Sequence, residues 1–411
     1  MAKILIHSLT FSPDGVSTAY LYNDIAKKIR DRGHQVVVLT TSPHYNIVPE
    51  QIKMQPLAWK IWGCYKKSQY EGITVFHVPQ KKFKSTPLRI LGFIYWHIIS
   101  FFVALSIKGI DVILSPSPPL TLGVINILLS RIKKCKVIYN VQEIYPDILK
   151  LNPSGTTHRI LKQLELFVYW HSDAVTTIDQ VFYNILVNRF ENPSKLHIIP
   201  NFVDTEIYHE TRGENILDRN LFPKTDSLKL LYAGNIGFAQ DWKPFIELAI
   251  KTKKQNIEYF VIGEGMKKKY VEDEVIAHNL HNVHILPYQP RNSMPAILSY
   301  ADISFIFMSP DNDTDGFPSK VYTIMACEKP LLIISSEDSP IVKFLRPIGC
   351  AKLVTERNFN KQVSLMEQWL NSVNRKELQQ MGKAGIEIIQ KHYTKENVTG
   401  QYVNLIERIL S

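Results

Sequence analysis

The stretch Asp315 to Pro330, DGFPSKVYTIMACEKP, sets a Gly-Phe-Pro turn and a Ser-Lys pair ahead of an amphipathic run and the apolar LLIIS. Pro318 after Phe317 suits the first turn of a helix, which leaves Ser319, Lys320 and unpaired backbone N–H groups at its positive end. Lys320 adds a full charge there, so a phosphate or diphosphate would be well held, and Asp315 and Thr323 could reach the hydroxyls of a sugar or ribose. The same residues also read as a surface helix capped by Asp315 and Ser319, with Lys320 a solvated charge. Two more loops bear on the choice. YAGNIG, Tyr232 to Gly237, places Asn235 between two glycines, and GEG, Gly263, Glu264 and Gly265, occupies the equivalent place one strand later. Glycine lets a backbone approach a ligand closely. Neither loop completes a GxGxxG and no acidic residue follows at the ribose spacing, which argues against a dinucleotide. Three ligand-type loops at equivalent places on one sheet favour binding.

Two candidate loops lie in the first half. TFSPDGVS, with Gly15 free to take a positive φ, opens a helix whose N–H groups can face an anion; it also reads as a tight turn capped by Ser17 or Thr18. In YNVQEIYPDILK, Glu143 and Asp147 are four residues apart and share a face if the segment is helical. A carboxylate there could orient an acceptor hydroxyl or stabilise positive charge on a reacting sugar. Pro146 weighs against that helix, and a capping or first-turn role is the alternative. DND at 311–313 comes nearest to a metal-binding acidic pair and reads better as a polar turn, so no metal site is expected.

The elements that must position these residues alternate. KILIHSL, HQVVVLTT, GITVFHVP, DVILSPS, CKVIYNVQ and DAVTTID read as strands, separated by amphipathic runs such as TAYLYNDIAKKIRDRG and HRILKQLELFVYWH. The polar segment 211–227 reads as a linker. The pattern then restarts with LKLLYAGNI, IEYFVIGEG, NVHILPYQ, ADISFIFM, PLLIISS and AKLVTE, and 374–411 reads as helical with a break near His392 and Tyr393. Alternating strands and helices imply parallel sheets covered on both faces. The expected fold class is therefore α/β: two Rossmann-like doubly wound parallel-sheet domains facing a cleft, 1–205 and 206–393, with the helix 394–411 packing back on the first. Ligands of such sheets sit beyond the carboxyl ends of the strands, where the candidate loops fall.

A length of 411 residues suits two domains, and the apolar share of 45% with 21% charged is that of a globular chain. The formal charge of +10, from 48 Lys+Arg against 38 Asp+Glu, suits anionic partners. With no zinc spacing or RNA-binding signature, nucleic acid is not an expected partner. Four dispersed cysteines without a CxxC fit reduced thiols, and MAKILIHSL has no signal-peptide core, so a cytoplasmic location is expected. The segment Ile90 to Ile107, ILGFIYWHIISFFVALSI, is 18 residues long and nearly all apolar. A membrane span there would split the α/β repeat that resumes at once with DVILSPSPP. Two readings stay open: a buried core helix, or a helix lying partly in the membrane interface with Arg89 and the preceding lysines near anionic headgroups.

GHQVVVLTTSPHY, IIPNFVD, YAGNIG and PSKVYTIMACEKPLLI together resemble the retaining glycosyltransferase family 4 of the GT-B fold, in order over nearly the whole chain. Within it the chain looks most like bacterial enzymes of O-antigen, capsule and other surface polysaccharides, the fucosamine transferase-like subgroup included. The resemblance implies a nucleotide-sugar donor, UDP-linked, held by the second domain as co-substrate, with no other cofactor and no metal required. It also implies a polyprenyl-diphosphate-linked saccharide acceptor held by the first domain, and a peripheral position at the inner face of the cell membrane. By that mapping Asn235, Gly237, Ser319 and Lys320 lie near the diphosphate, Gly263, Glu264, Gly265 and Tyr288 by the base, and Asp315 near the transferred sugar. Glu143, Asp315 and Lys320 are then the candidate catalytic groups, and Gly15, Phe317, Pro318 and Thr323 further donor contacts. The chain departs from the family pattern at Thr323, where many members carry a carboxylate, and at Glu328, where a glycine is usual. Phe238, Ala239 and Gln240 stand where a base is common, with Lys243 a possible substitute, and Gln142-Glu143 replace a histidine. A nucleotide-sugar 2-epimerase of the same architecture and a catalytically weak partner subunit are the alternative functions.

Overall fold

The computed structural model describes residues 1–44, 49–61, 63–80, 85–149, 155–210, 217–311 and 317–411. It divides into two compact units: Met1–Asn201 together with Glu396–Ser411, and Phe202–Lys395.

Among the described residues, unit 1 carries nine strands: β1 Lys3–His7, β2 Gln35–Thr41, β3 Ala58–Lys60, β4 Tyr65–Tyr70, β5 Ile73–Val78, β6 Val112–Ser117, β7 Lys136–Val141, β8 Ala174–Thr177 and β9 Leu196–Ile198. They form one sheet in the order β3-β4-β5-β2-β1-β6-β7-β8-β9. From β5 to β9 every pairing is parallel, while β3, β4 and β5 pair antiparallel at the edge. This edge departs from the expected all-parallel sheet. The reason lies in composition: β3 is fully exposed and β4, YKKSQY, is mostly polar, so neither shows the apolar run of a buried strand. Glu71 and Gly72 connect β4 to β5 with φ of 44° and 80°, the two-residue turn in which both central residues are left-handed.

Unit 2 carries β10 Leu228–Ala233, β11 Ile257–Ile262, β12 Val283–Leu286, β13 Ile303–Phe307, β14 Leu331–Ile334 and β15 Ala351–Val354. All pair parallel, in the order β12-β11-β10-β13-β14-β15. Alternate residues serve opposite faces of the sheet. Leu231, Phe260, Ile306 and Ile333 pack into one apolar layer, and Leu230, Tyr259, Phe305 and Leu332 into the other. Burial on both faces is why these strands read as continuous apolar runs. The expected class, two Rossmann-like α/β domains with parallel-strand sheets, is what the chain adopts.

The helical run at the C-terminus is interrupted by a wider turn at Ile389–Tyr393 before the helix Lys395–Leu410. That last helix belongs to unit 1, where Asn140 Nδ2 donates to the Tyr402 hydroxyl at 3.0 Å and to Thr176 Oγ1 at 2.8 Å.

Candidate functional site

The three loops of unit 2 converge at the carboxyl ends of β10 and β11. Gly234 N donates to Ile262 O at 2.9 Å, and Ile236 N donates to Glu264 O at 2.9 Å, so the GNIG and GEG loops extend the β10–β11 pairing past the sheet. Lys267 N returns a hydrogen bond to Ile236 O at 2.9 Å. Glycine is required in the GEG loop by contact as well as by torsion. At Gly263, φ +149°, a Cβ would sit 1.8 Å from Gly234 O; at Gly265, φ +156°, it would sit 2.3 Å from Ile236 O. Asn235 fits its side chain between these loops, since a Cβ on Gly237 would meet its Nδ2 at 2.9 Å and one on Gly265 its Oδ1 at 2.6 Å.

Lys320 begins the helix Lys320–Ala326 and sends its ammonium onto this platform. Its Nζ lies 3.9 Å from the ring centroid of Tyr232, the penultimate residue of β10, and 2.6 Å from where a Cβ on Gly234 would be. Tyr232 is itself fixed, because its hydroxyl donates to Asn235 O at 2.6 Å. Desolvation by burial pulls the Lys320 pKa from 10.5 down to about 7. A small cavity of about 60 Å³ beside it is lined by Lys320, Thr323, Ser304 and the apolar Ala233, Leu298 and Ile324. The helix is only 7 residues long, so the charge of Lys320 outweighs its dipole as an anion-binding element.

The remaining sequence candidates fall as follows. Phe317 packs with Tyr322 and Phe344, ring centroids 5.1 Å and 5.0 Å away, and so anchors the loop ahead of the helix. Pro318 O accepts from Val321 N at 3.0 Å, and Ser319 occupies the N-cap position without a side-chain capping bond. The Thr323 hydroxyl donates to Lys320 O at 2.8 Å, which leaves it lone pairs and no free proton for a ligand. Glu264 pairs with Lys268 at 2.6 Å, and Tyr288 is 60% exposed in the segment after β12. Asp315 lies outside the described residues, as does all of DND beyond Asp311. Gly15 and Glu143 belong to unit 1.

Glu143 and Asp147 do not share a helical face. Glu143 sits in a bend after β7, and the short 3₁₀ turn Asp147–Leu149 follows Pro146, whose ring opposes a regular helix through this segment. Asp147 pairs with Arg189, which also holds the fully buried Glu165 at 3.0 Å. Glu143 is half-buried, and desolvation raises its carboxyl pKa.

Sequence reasoning missed two members of the site. Tyr232 lay inside the quoted YAGNIG as an ordinary strand residue, and nothing in the motif shows that Lys320 would rest on its ring. Lys267 places its Nζ 4.8 Å from the ring of exposed Phe238, directly after the GNIG loop. A base is thus set beside Phe238 by the next loop, and the basic run in GEGMKKK was its signal. Lys243, by contrast, lies in the first turn of the helix Trp242–Lys251.

Residues 19–207 match the family described as Glycosyltransferase Family 4, and residues 214–388 the family described as Glycosyl transferases group 1. These are glycosyltransferase domains. Over its full length the glycosyltransferase is similar to a putative colanic acid biosynthesis glycosyl transferase of Escherichia coli, with 22% identity over 98% of this chain and 99% of the relative. Among solved structures it resembles Anabaena HepE in complex with UDP and glucose, with a TM-score of 0.73, 13% identity and coverage of 99% and 100%. It also resembles sucrose-phosphate synthase from Thermosynechococcus elongatus, with a TM-score of 0.72, 13% identity and coverage of 100% and 99%. At these identities the structural likenesses speak to the fold, which is that of GT-B glycosyltransferases.

Proposed function

We propose that the enzyme transfers a sugar from a UDP-linked donor to a lipid-linked saccharide acceptor, with retention of configuration, in surface polysaccharide biosynthesis. One observation carries the donor side: the Lys320 ammonium resting on a glycine platform at the carboxyl ends of β10 and β11. Support for the substrate class comes from the relative named for colanic acid biosynthesis and from the neighbour solved with UDP and glucose.

In this reading unit 2 (Phe202–Lys395) binds the donor. The diphosphate lies against Asn235, Gly237 and Ser319, within reach of Lys320 and Lys267, and the base lies by Gly263 to Gly265 and Tyr288. Asp315, Phe317, Pro318 and Thr323 border the sugar and ribose. Lys320, whose pKa burial brings down to about 7, is drawn to its charged form by a phosphate, which puts a full positive charge where the leaving diphosphate gains negative charge. The acceptor hydroxyl attacks the anomeric carbon from the face that the diphosphate leaves. The sugar–phosphate bond breaks, and the departing diphosphate oxygen takes the hydroxyl proton. No strong protein base is needed on that route, so Gln142-Glu143 in place of a histidine is tolerated. Unit 1 supplies the acceptor side: Glu143 orients the acceptor hydroxyl, and Gly15 lies in the strand-to-helix loop that meets a phosphate group. The reaction is placed at the cytoplasmic face of the membrane, with no cofactor besides the donor.

A thermal-shift panel of uridine, guanosine and adenosine diphosphate sugars tests the reading, because a ligand that binds only the folded state raises the melting temperature by mass action. The UDP-linked set is expected to give the largest shift. No shift with any of them argues for a non-catalytic partner subunit, and epimerisation of a donor without acceptor argues for the isomerase.

A further inference from the structure

The helix Thr86–Ser106 has two unlike faces. Trp96, Ser100, Val103 and Ala104 are buried, and the apolar three pack in the unit 1 core with Leu39, Val78 and Ile113. On the other side Leu88, Leu91, Tyr95, Ile98 and Phe102 recur every three or four residues and are each 44% to 61% exposed. Only 33% of the apolar window Pro87–Ser106 is buried, whereas a core helix of that composition would be mostly covered. The stripe runs about 20 Å along the helix.

Charge separates the occupants this face could have. Over residues 85–142 the chain has six Lys/Arg, five once Lys136 is set aside as paired with Asp173 at 3.0 Å, and one acidic residue, Asp111. That acid is engaged, accepting from Lys3 N at 2.7 Å. Exposed Arg89 stands in the first turn of the helix, seven residues before Trp96 and so on that side rather than the stripe's, and exposed Lys108 lies just past the other end. The neighbouring helix Leu120–Lys133 is tied to the same end, with Lys133 Nζ donating to Leu105 O at 2.9 Å and to Ile107 O at 2.7 Å. It exposes Ile132 between Arg131 and Lys133. A second copy docked on this face would set bases against bases with almost no acid to pair them. A transmembrane position would strip Trp96 and its neighbours out of the core. An anionic bilayer surface suits both features, since headgroup phosphates meet the bases and the apolar stripe enters the acyl boundary.

We propose that the exposed face of the helix Thr86–Ser106 is the surface on which unit 1 sits on an anionic membrane, lying in the interface without crossing it. The full chain is to be sedimented with phosphatidylcholine vesicles and with vesicles that also contain phosphatidylglycerol. Wild type is expected to partition preferentially to the anionic set. Ile98→Ser combined with Phe102→Ser should weaken that partition by about tenfold or more. Lys108→Ser combined with Lys134→Asn, the second at the exposed end of the neighbouring helix, should reduce the preference for anionic lipid. All these side chains are exposed, so both variants should keep the wild-type melting temperature. The proposal is overturned if wild type stays in the supernatant with both vesicle types, or if the apolar variant partitions like wild type. It is also overturned if wild type is a lipid-free dimer that the apolar variant makes monomeric. The membrane reading bears on the lipid-linked acceptor but is independent of the donor site, whose thermal shifts report separately.

Discussion

Lys320 holds its ammonium against Tyr232, and desolvation brings its pKa down to about 7 from 10.5. Between those values the unfolded chain binds a proton that the folded chain does not, so stability rises with pH through that window and is lowest below about pH 7. Lys320→Met removes this penalty. Urea unfolding should show the variant more stable than wild type at about pH 6, with the gain shrinking towards about pH 10. Glu328 gives a second test. It follows the helix Lys320–Ala326 with φ +56°, the left-handed region that favours glycine, and a Cβ on Gly382 would lie 2.0 Å from its carbonyl oxygen. The departure from the family pattern seen in the sequence is therefore a strained backbone position. Glu328→Gly should stabilise the protein by about 0.5–1 kcal/mol in denaturant unfolding. What Glu328 does in exchange for that strain, nothing in the structure explains.

At the scale of elements, the GNIG and GEG loops act as one unit because their backbones hydrogen-bond to each other past the sheet. Gly263→Ala drives a methyl group to 1.8 Å from Gly234 O, and only backbone movement relieves that contact. The variant should lose about 2–4 kcal/mol of stability and give no thermal shift with nucleotide sugars at concentrations that shift wild type. These loops were legible in the sequence because glycine after an apolar run has few other meanings. Elements that depend on tertiary neighbours were not legible. The polar edge strands β3 and β4 lack periodicity, and Glu143 and Asp147 had the spacing of a helix but follow a bend and a proline. Lys267 reaches its place only because the GEG loop folds back on GNIG, and a linear motif does not record that contact.

For the whole molecule, two histidines buried without charge set the acid limit. Burial lowers the pKa of both His7 and His77 from 6.5 to about 4. In the fold, His7 Nδ1 meets Asn126 Oδ1 at 2.7 Å and His77 Nε2 meets Ser68 Oγ at 2.7 Å. As pH falls from 6.5 towards 4 the unfolded chain takes up protons that the fold refuses, so each site removes on the order of 3 kcal/mol by about pH 4. The urea midpoint should fall steeply over that range, and His77→Gln should flatten part of the slope. The two-domain plan was readable from one end of the chain to the other, since the strand–helix alternation restarts after a polar segment. The meeting of Lys320 with the glycine loops was readable only because residue type and loop position coincide there. The central claim is that Lys320 and the glycine loops of unit 2 hold a donor diphosphate, and calorimetric titration of UDP into wild type and Lys320→Ala tests it most directly. Wild type should bind, and the variant should bind at least about tenfold more weakly while remaining folded. Equal affinity in the two proteins would contradict the claim.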